Sequence, residues 1–350
     1  MMLVVSFLFV AMMEATLGCV PKYGPGRYLL NMTTSTFSKI RPFLLNVPSK
    51  KNADGGLAGG GVLGFHGWHS NPWYYDALSN LTNITEDYAM TLALPFGTGQ
   101  KESFYCCPEN VTAQECSDGT FLDASDGACG WKNSEDQDLN PEFADVDDVA
   151  FAKALASYMV DELCVDPEKI FATGLSDGAT MTARIACDAA DIFKGVAMMS
   201  GDLRMRRCAP AKALAFLEFC GTQDGACNST SYDTFDKFVA FDNCAKDDWH
   251  LTYESATTSC RLAESCLNGG LVEQCMIAGL GDAIPGHDRN GPIVPGTTYI
   301  PQAPTNLDSV NYAFDRWSTL FPSPQWPQNP VFPTSKNAPL VMSDNYSQEK

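Results

Sequence analysis

The chain has 350 residues, of which 45% are hydrophobic, so it can bury a large core as one α/β domain or two smaller ones. Its formal net charge is −19, from 42 acidic and 23 basic side chains, which argues against binding nucleic acid or an anionic membrane through a basic surface. Beyond the N-terminal residues, no stretch is long and apolar enough to cross a membrane. These properties predict a globular monomer with no nucleic-acid partner and no membrane partner.

The first 18 residues predict a signal peptide, because an apolar run over residues 3–13 is too short to span a bilayer and is followed by small residues up to Gly18. The 14 cysteines form no C-x-x-C pair, and the four histidines do not alternate with them at zinc spacing. Six glycosylation sequons agree with a secretory route; they begin at Asn31, Asn80, Asn83, Asn110, Asn228 and Asn345. We therefore expect disulfides rather than a metal site, in a secreted, extracellular protein.

The body of the chain alternates between apolar strand patterns and amphipathic helix patterns. A hairpin is predicted at 27–31 and 43–47, followed by strands at 62–65, 89–94, 170–173, 193–199, 213–219, 249–254 and 271–278. Helices are predicted at 72–81, at 149–164, from Asp177 onward, and at 307–320. Strand and helix in this rhythm predict an α/β protein with a parallel sheet and crossover helices.

Two segments depart from this rhythm. Residues 97–145 are rich in cysteine, glycine and acidic residues, which predicts a disulfide-stapled insertion beside the site rather than a linker. Residues 322–350 are proline-rich and predicted to be irregular. We therefore expect one catalytic domain over 19–321, after the signal peptide and before this tail.

The most informative motif is the G-x-S-x-G at 174–178, which lies between a predicted strand and a predicted helix. A serine on a sharp strand-to-helix turn needs small neighbours, because the two backbones pass close together there. Such a turn lifts the hydroxyl of Ser176 clear of the sheet and aims the amide of Asp177 at a developing oxyanion. Ser176 is the predicted nucleophile.

A serine nucleophile needs a base and an orienting acid. His250 lies in a predicted strand, and His66 and His69 flank the loop after an early strand, where backbone amides are needed. His287 follows the last strand in a glycine-rich loop and is the predicted base, because α/β sites assemble at the carboxyl ends of strands.

The predicted orienting acid is Asp224, which follows the strand at 213–219. Asp202 and Asp282 are rivals for this role, and any of the three could instead cap a turn. The order Ser176, Asp224, His287 is the order in which α/β-hydrolases carry their triad.

The second oxyanion donor is predicted to be the amide of Trp68, which joins that of Asp177. The neighbouring side chains of His66, Trp73 and Tyr74 are predicted to line the substrate pocket. For the two aromatic residues, packing of the first helix is an equally good explanation.

Residues 148–178 and 185–197, together with the segment Gly130-Trp131-Lys132-Asn133, resemble the secreted esterases that group fungal-type feruloyl esterases with polyhydroxybutyrate depolymerase-like enzymes. The likeness runs from about residue 62 to residue 321. It implies an α/β-hydrolase fold, with a mostly parallel central sheet, helices on both faces and disulfide-stapled insertions, and it implies triad roles for Ser176, Asp224 and His287. The chain departs from the family pattern at Asp177, where an Asn or Tyr is common.

The leading hypothesis is a secreted serine carboxylester hydrolase that works through an acyl-enzyme with no metal or organic cofactor. Its expected substrates are feruloyl-polysaccharide or similar plant cell-wall esters, with polyhydroxyalkanoate or acetyl esters as alternatives. A serine peptidase of the prolyl-oligopeptidase type is a rival, disfavoured because the residues before the first strands are too few for a propeller. A third hypothesis is a non-catalytic secreted binding protein on the same scaffold.

Overall fold

The computed structural model describes residues 19–34, 37–50, 59–68, 70–99, 129–134, 146–205, 207–227, 234–245, 248–266, 269–287 and 307–322. The predicted signal peptide, most of the predicted cysteine-rich insertion and the predicted proline-rich tail from residue 323 lie outside these ranges, as does His69.

Ten of the twelve strands in the described residues form one mixed sheet at the centre of the molecule. The strands are β1 (Gly26–Thr34), β2 (Phe37–Val47), β3 (Gly61–Phe65), β4 (Thr91–Pro95), β5 (Thr98–Gly99), β6 (Cys129–Gly130), β7 (Ile170–Leu175), β8 (Gly195–Met199), β9 (Ala215–Gly221), β10 (His250–Glu254), β11 (Thr258–Ala263) and β12 (Leu271–Ile277). The strand order is β1-β2-β4-β3-β7-β8-β9-β12-β11-β10, and β5 pairs separately with β6. The six central strands are parallel, and the two outer strands on each side are antiparallel to their neighbours.

Helices cover both faces of the sheet. They are α1 (Pro72–Ser79), α2 (Leu81–Asp87), α3 (Asp148–Leu163), α4 (Asp177–Asp188), α5 (Thr234–Phe241) and α6 (Ser309–Leu320). The apolar sides of α3, α4 and α5 pack in one core cluster, and those of α1, α2 and α6 pack in a second. The prediction of a mostly parallel sheet with helices on both faces is therefore confirmed.

Local sequence explains the elements that support the site. Every residue of β7 is buried, as expected for a central parallel strand that is covered on both faces. Helix α3 begins after Asp147, whose carboxylate accepts the N–H of Ala150 at 2.8 Å, and ends at Cys164 in the left-handed conformation with φ 61°.

The predicted helix at 72–81 is wrong in one respect, because it ends at Ser79 and a second helix starts at Leu81. Asn80 between them has φ 57°, a left-handed conformation that stops the first helix and that asparagine tolerates well. The prediction also missed α5 and β11. Strand β11 alternates buried and exposed side chains at the sheet margin, which makes a weaker signal than the continuous apolar runs of the central strands.

Five disulfides are present in the described part of the chain, which confirms the prediction for ten of the cysteines. The pairs are Cys19–Cys164, Cys187–Cys208, Cys220–Cys227, Cys244–Cys266 and Cys260–Cys275. The first of these joins the start of the described chain to the end of α3 across 145 residues, and a cross-link of such a long loop restricts the unfolded chain strongly.

Candidate active site

Ser176 sits on the turn between β7 and α4, as predicted. Its backbone has φ 55° and ψ −118°, a strained conformation for a residue with a side chain. The Ser176 side chain does not cap the helix, although Ser176 is the N-cap residue, so its hydroxyl points away from the helix backbone. The Ser176 N–H donates to the carbonyl of Met199 at 3.0 Å, which anchors the turn to β8.

The two glycines of the motif are required by close backbone approach. A Cβ on Gly174 would lie 2.2 Å from the carbonyl oxygen of Gly178, and a Cβ on Gly178 would lie 2.1 Å from that of Phe65. These distances are well below van der Waals contact. The strand, the helix and the end of β3 can therefore meet at this turn only with glycine at both positions.

Ser176 opens into a cleft of about 320 Å³ at the carboxyl ends of the parallel strands. The cleft is lined by Trp68, Ser176, Asp177, Thr180, Ser200, Gly201, Arg204, Asp224, Ala226 and Asp282. These residues follow β3, β7, β8, β9 and β12, in agreement with the rule that sites in α/β folds assemble at this edge of the sheet.

Within the described chain, the partner of the Ser176 hydroxyl is a carboxylate rather than an imidazole. Ser176 Oγ donates to Asp282 Oδ2 at 2.8 Å. The ring of His287, five residues further on, instead places Nε2 3.0 Å from Asp308 Oδ1. The expected hydrogen bond between Ser176 and His287 is thus not formed in this structure. The catalytic role of His287 stays a prediction.

The path of the loop after β12 explains this arrangement. Ser200 is 1% exposed, and its hydroxyl donates to the carbonyl of Ala283 at 2.8 Å and accepts the Ala283 N–H at 3.0 Å. At the far end of the loop, Gly286 has φ +86°, and a Cβ there would lie 2.4 Å from the carbonyl oxygen of Leu307. The first half of the loop is held at the cleft, and the second half is held against the start of α6.

Asp224 lines the same cleft as Ser176, as predicted for the orienting acid. Burial raises the pKa of Asp224, while hydrogen bonds from the N–H groups of Ala226 and Cys227 act against this shift. The turn that carries Asp224 is joined to the loop after β12, because the carbonyl of Leu280 accepts the N–H of Gln223 at 2.8 Å. Asp224 and Asp282 are therefore held on adjacent loops, whereas the known contact of His287 is with Asp308.

Asp177 has a structural role that sequence reasoning missed. Its carboxylate accepts the N–H of Trp131 at 2.9 Å and a hydrogen bond from the side-chain amide of Asn133. Burial raises the pKa of Asp177 to about 7, although the hydrogen bonds from Trp131 and Asn133 and the charge of Arg204 oppose the shift. This acid therefore joins the segment 130–133 to the nucleophile turn.

The turn after β3 approaches the nucleophile, as the predicted oxyanion hole requires. A Cβ on Gly67 would lie 3.5 Å from Ser176 Cβ, and Trp68 lines the cleft. Asp177 is the first residue of α4, so its amide belongs to a helix N-terminus, which favours negative charge. The assignment of the Trp68 and Asp177 amides as oxyanion donors stays a prediction.

His66 is not a substrate-binding residue in this structure, which corrects the expectation. Its ring is 0% exposed, with Nδ1 2.8 Å from the carbonyl of Gly67 and Nε2 accepting the N–H of Gly97 at 2.9 Å. Burial lowers the pKa of His66 to about 4, and the bond to Gly67 offsets part of that effect. Both ring nitrogens are used to hold the loops after β3 and β4 together.

Trp73 and Tyr74 lie on α1 and pack against the second core cluster. The Trp73 ring meets Phe96 edge to face, with centroids 5.0 Å apart. Both side chains are half-buried, and their role in substrate binding stays a prediction. In the described residues we find no group of His, Cys, Asp and Glu side chains that could hold a metal, and no helix with the length and apolar character of a membrane span.

The sheet, the serine turn and the cleft at the strand ends define an α/β-hydrolase fold. The acetyl xylan esterase from Aspergillus awamori has this fold, with a TM-score of 0.51 at 12% identity over 74% of this chain and 96% of that one. The prolyl oligopeptidase family, Peptidase_S9, matches residues 127–255, less than half of the chain.

Among curated proteins, the similar sequences include feruloyl esterases of fungi. Feruloyl esterase B of Piromyces equi is 27% identical over 191 residues, which are 48% of this chain and 34% of that protein. Feruloyl esterase D of Neurospora crassa is 28% identical over 143 residues, 40% of this chain and 46% of that protein. The chain spans less than half the length of these relatives. The chain has an α/β-hydrolase fold and is similar in part of its sequence to feruloyl esterases.

Proposed function

We propose that this protein is a serine carboxylester hydrolase with Ser176 as its nucleophile. The observation that carries the proposal is the strained turn at Ser176, which places the hydroxyl in an open cleft beside the turn that carries Gly67 and Trp68. Strain of this kind is kept where it serves a function, because it costs the fold on the order of 1–3 kcal/mol.

In the proposed reaction, Ser176 Oγ gives its proton to the base as it attacks the ester carbonyl. The alcohol takes this proton and leaves an acyl-enzyme, and water, activated by the same base, then releases the acid and returns the proton to Ser176. The amides of Asp177 and Trp68 stabilise the oxyanion, and each such donor lowers the barrier by about 3 kcal/mol. The proposed base is His287, and Asp224 lies in the cleft as a buried carboxylate that can orient it when the histidine loop brings the imidazole to the cleft. No metal or organic cofactor is needed for this chemistry.

We propose plant cell-wall esters as the substrates, with feruloyl esters first and acetyl esters second. Support comes from the names of the fungal relatives and of the acetyl xylan esterase that shares the fold. The cleft of about 320 Å³ suits the acyl part of such an ester, since ligand pockets begin at about 300 Å³. The five disulfides support secretion, because disulfides persist in oxidising compartments.

The Ser176→Ala variant tests this proposal. We expect it to lose at least about 10³-fold of the hydrolysis of p-nitrophenyl acetate and methyl ferulate, with an unchanged unfolding temperature. A fluorophosphonate probe should label the wild-type protein at Ser176, as shown by peptide mapping. The matched control is Ser157→Ala, which removes an exposed hydroxyl from α3 and should leave activity and labelling intact. Full activity in Ser176→Ala would refute the proposal.

A second candidate function, a non-catalytic binding protein, is favoured by one observation. The Ser176 hydroxyl is bonded to Asp282, and the imidazole of His287 is engaged with Asp308. If the folded wild-type protein neither takes the fluorophosphonate label nor hydrolyses any ester, this candidate replaces the first. The peptidase alternative, supported by the prolyl oligopeptidase match, predicts cleavage of peptide p-nitroanilides in preference to esters.

A further inference from the structure

One fully buried side chain, that of Trp131, contacts both elements that carry the proposed oxyanion donors. The Trp131 N–H donates to Asp177 Oδ2 at 2.9 Å, at the start of α4. The indole Nε1–H donates to the carbonyl of His66 at 2.8 Å, and His66 lies two residues before Trp68. Trp131 therefore joins the nucleophile turn to the turn after β3 through two hydrogen bonds.

The indole ring also packs against the end of β3. Its centroid lies 5.1 Å from that of Phe65, in an edge-to-face contact, and 4.9 Å from that of His66. A Cβ on Gly178 of α4 would lie 2.1 Å from the Phe65 carbonyl oxygen and 2.5 Å from that of His66. The end of β3 is thus in close contact with both α4 and the Trp131 ring, so its position depends on both.

The residue before Trp131 contacts Trp68 itself. A Cβ on Gly130 would lie 2.3 Å from two ring atoms of Trp68 and 2.9 Å from Asp177 Oδ2. Glycine at this position lets the Trp68 ring pack directly on the backbone of the segment 130–133. This segment therefore contacts the turn after β3 at two points, the carbonyl of His66 and the ring of Trp68.

The segment 130–133 is itself fixed to the body of the fold. The Lys132 N–H donates to Asp148 Oδ2 at 2.7 Å, and the other carboxylate oxygen of Asp148 accepts from the buried Arg41 of β2 at 2.7 Å. The Lys132 carbonyl accepts a hydrogen bond from Arg184 on α4. Since the segment is bonded to α3 and α4, it can serve as a rigid support for the turn after β3.

We propose that Trp131 is a positioning residue for ester hydrolysis, which holds the Trp68 amide at the distance from Ser176 that stabilises the oxyanion. This inference rests on the proposed hydrolase function and names a further residue of the same site. Trp131 is not among the described residues that line the cleft, so it acts through the amides of Trp68 and Asp177. Oxyanion donors must lie within about 3 Å of the developing charge, and a displacement of about 1 Å costs on the order of 100-fold in rate.

Trp131→Phe removes the indole N–H but keeps an aromatic ring. The His66 carbonyl loses this donor, so we expect kcat to fall about 10- to 100-fold with KM within about 3-fold of wild type. The matched control is Trp317→Phe, at an indole that is also buried, on α6, and whose Nε1 has no hydrogen-bond partner in the described residues. This control should keep kcat within about 3-fold of wild type.

Inhibition by a boronic acid separates a positioning role from a structural one. Phenylboronic acid forms a tetrahedral adduct with a nucleophilic serine, and an oxygen of this adduct occupies the oxyanion hole. We expect its inhibition constant to rise in Trp131→Phe by about the factor by which kcat/KM falls, because transition-state analogues depend on the same contacts. A tryptophan that only stabilised the fold would lower the unfolding temperature and leave this constant unchanged in folded protein.

A second pair of variants tests the other hydrogen bond of Trp131, and it is decisive where Trp131→Phe does not fold. Asp177→Ala removes the acceptor of the Trp131 N–H, and we expect kcat to fall about tenfold or more. Asp177→Asn keeps an acceptor there. The buried Oδ1 of Asn133 has no hydrogen-bond partner in the described part of the chain, so the Asn133 amide can turn over and accept from the new side chain. Both variants lack the charge, so a kcat at least about 3-fold higher in Asp177→Asn would report the hydrogen bond alone.

The outcomes distinguish this inference from the proposed function. If folded Trp131→Phe keeps kcat within about 3-fold of wild type, or if Asp177→Ala and Asp177→Asn have equal kcat, the positioning role is overturned and hydrolysis by Ser176 stands. If the wild-type protein shows no labelling at Ser176 and no ester turnover, the proposed function fails, and the role of Trp131 fails with it.

Discussion

The two ends of the loop after β12 carry the two side chains that could serve Ser176, and they are anchored to different parts of the molecule. The Asp282 end is bonded to Ser200 at the centre of the sheet. The His287 end is bonded to Asp308 at the start of α6. Both residues follow the same strand, yet only the first is in contact with the nucleophile in this structure. A position at the carboxyl edge of a sheet thus allows a catalytic role, but it does not determine which side chain contacts the nucleophile.

The largest effect on stability is expected from Gly286→Ala, which perturbs the His287 end alone. The new Cβ would combine a positive φ with a distance of 2.4 Å to the Leu307 carbonyl, so we expect a loss of about 3 kcal/mol of unfolding free energy. Gly269→Ala is the matched control, because Gly269 also has a positive φ but no atom within 4 Å, and it should lose about 1 kcal/mol. Denaturant unfolding measures both.

The activity of folded Gly286→Ala then sharpens the comparison. If His287 serves as the base, ester hydrolysis at a temperature where the variant is native should fall more than about tenfold, because the loop that carries the imidazole is displaced. Activity within about 3-fold of wild type in protein that is still folded would show that turnover does not depend on the His287 end.

Ser200→Ala perturbs the opposite end. Loss of the hydroxyl frees the backbone of Ala283, so the loop that lines the cleft beside Ser176 should be held less well, and we expect kcat to fall about 10- to 100-fold with KM little changed. Ser309→Ala removes a comparable buried hydroxyl whose partner is the Pro285 carbonyl, at 3.1 Å. Both variants should lose about 1 kcal/mol of stability, but only Ser200→Ala should lose turnover. Equal kcat values in the two would contradict a positioning role for Ser200.

The smallest effect is expected from Asp308→Asn, which keeps a good helix cap but removes the charge that faces His287. We expect a loss of about 1 kcal/mol or less, because the Asp308 side chain is 40% exposed and water screens the pair. Although burial acts to raise it, the pKa of Asp308 is lowered in the folded protein by the hydrogen bonds from His287 and Asn311.

The sign of this pH dependence can be tested directly. A lowered pKa stabilises the fold above the unfolded pKa of about 3.9, and this contribution is lost as the pH falls through the folded value. The difference in unfolding temperature between wild type and Asp308→Asn should therefore be larger at pH 5 than at pH 2.5. A difference that grows toward pH 2.5 would mean that the carboxylate does not stabilise the joint between the loop and α6.

Much of the fold was predictable because it depends on local and periodic signals. The central strands are continuous apolar runs, α3 has a strong helical repeat with an aspartate cap, and the G-x-S-x-G motif lies between a strand and a helix. The edge strands of the sheet and the exact helix boundaries were less predictable. Strand β11 was missed, and the helix at 72–81 is divided at Asn80, because weaker amphipathic signals leave such choices to tertiary packing.

The candidate site was predictable only in part. Ser176, and the cleft that it shares with Asp224 and Trp68, follow from motif and strand position. His66 was misassigned because a histidine next to a functional turn looks the same in sequence whether its ring is free or enclosed. Burial and the two hydrogen bonds of its ring decide the matter, and both come from loops that are distant in the sequence.

The sequence by itself determined the parallel sheet, the nucleophile turn and the set of acids and histidines that could reach it, since these depend on hydrophobic period, glycine positions and strand order. Only the tertiary structure decided which side chain meets Ser176. That choice depends on the path of the loop after β12, which is set by contacts with Ser200, 83 residues from Ala283 in the chain, and with Asp308, 21 residues from His287. Contacts over such separations leave no periodic trace in the sequence.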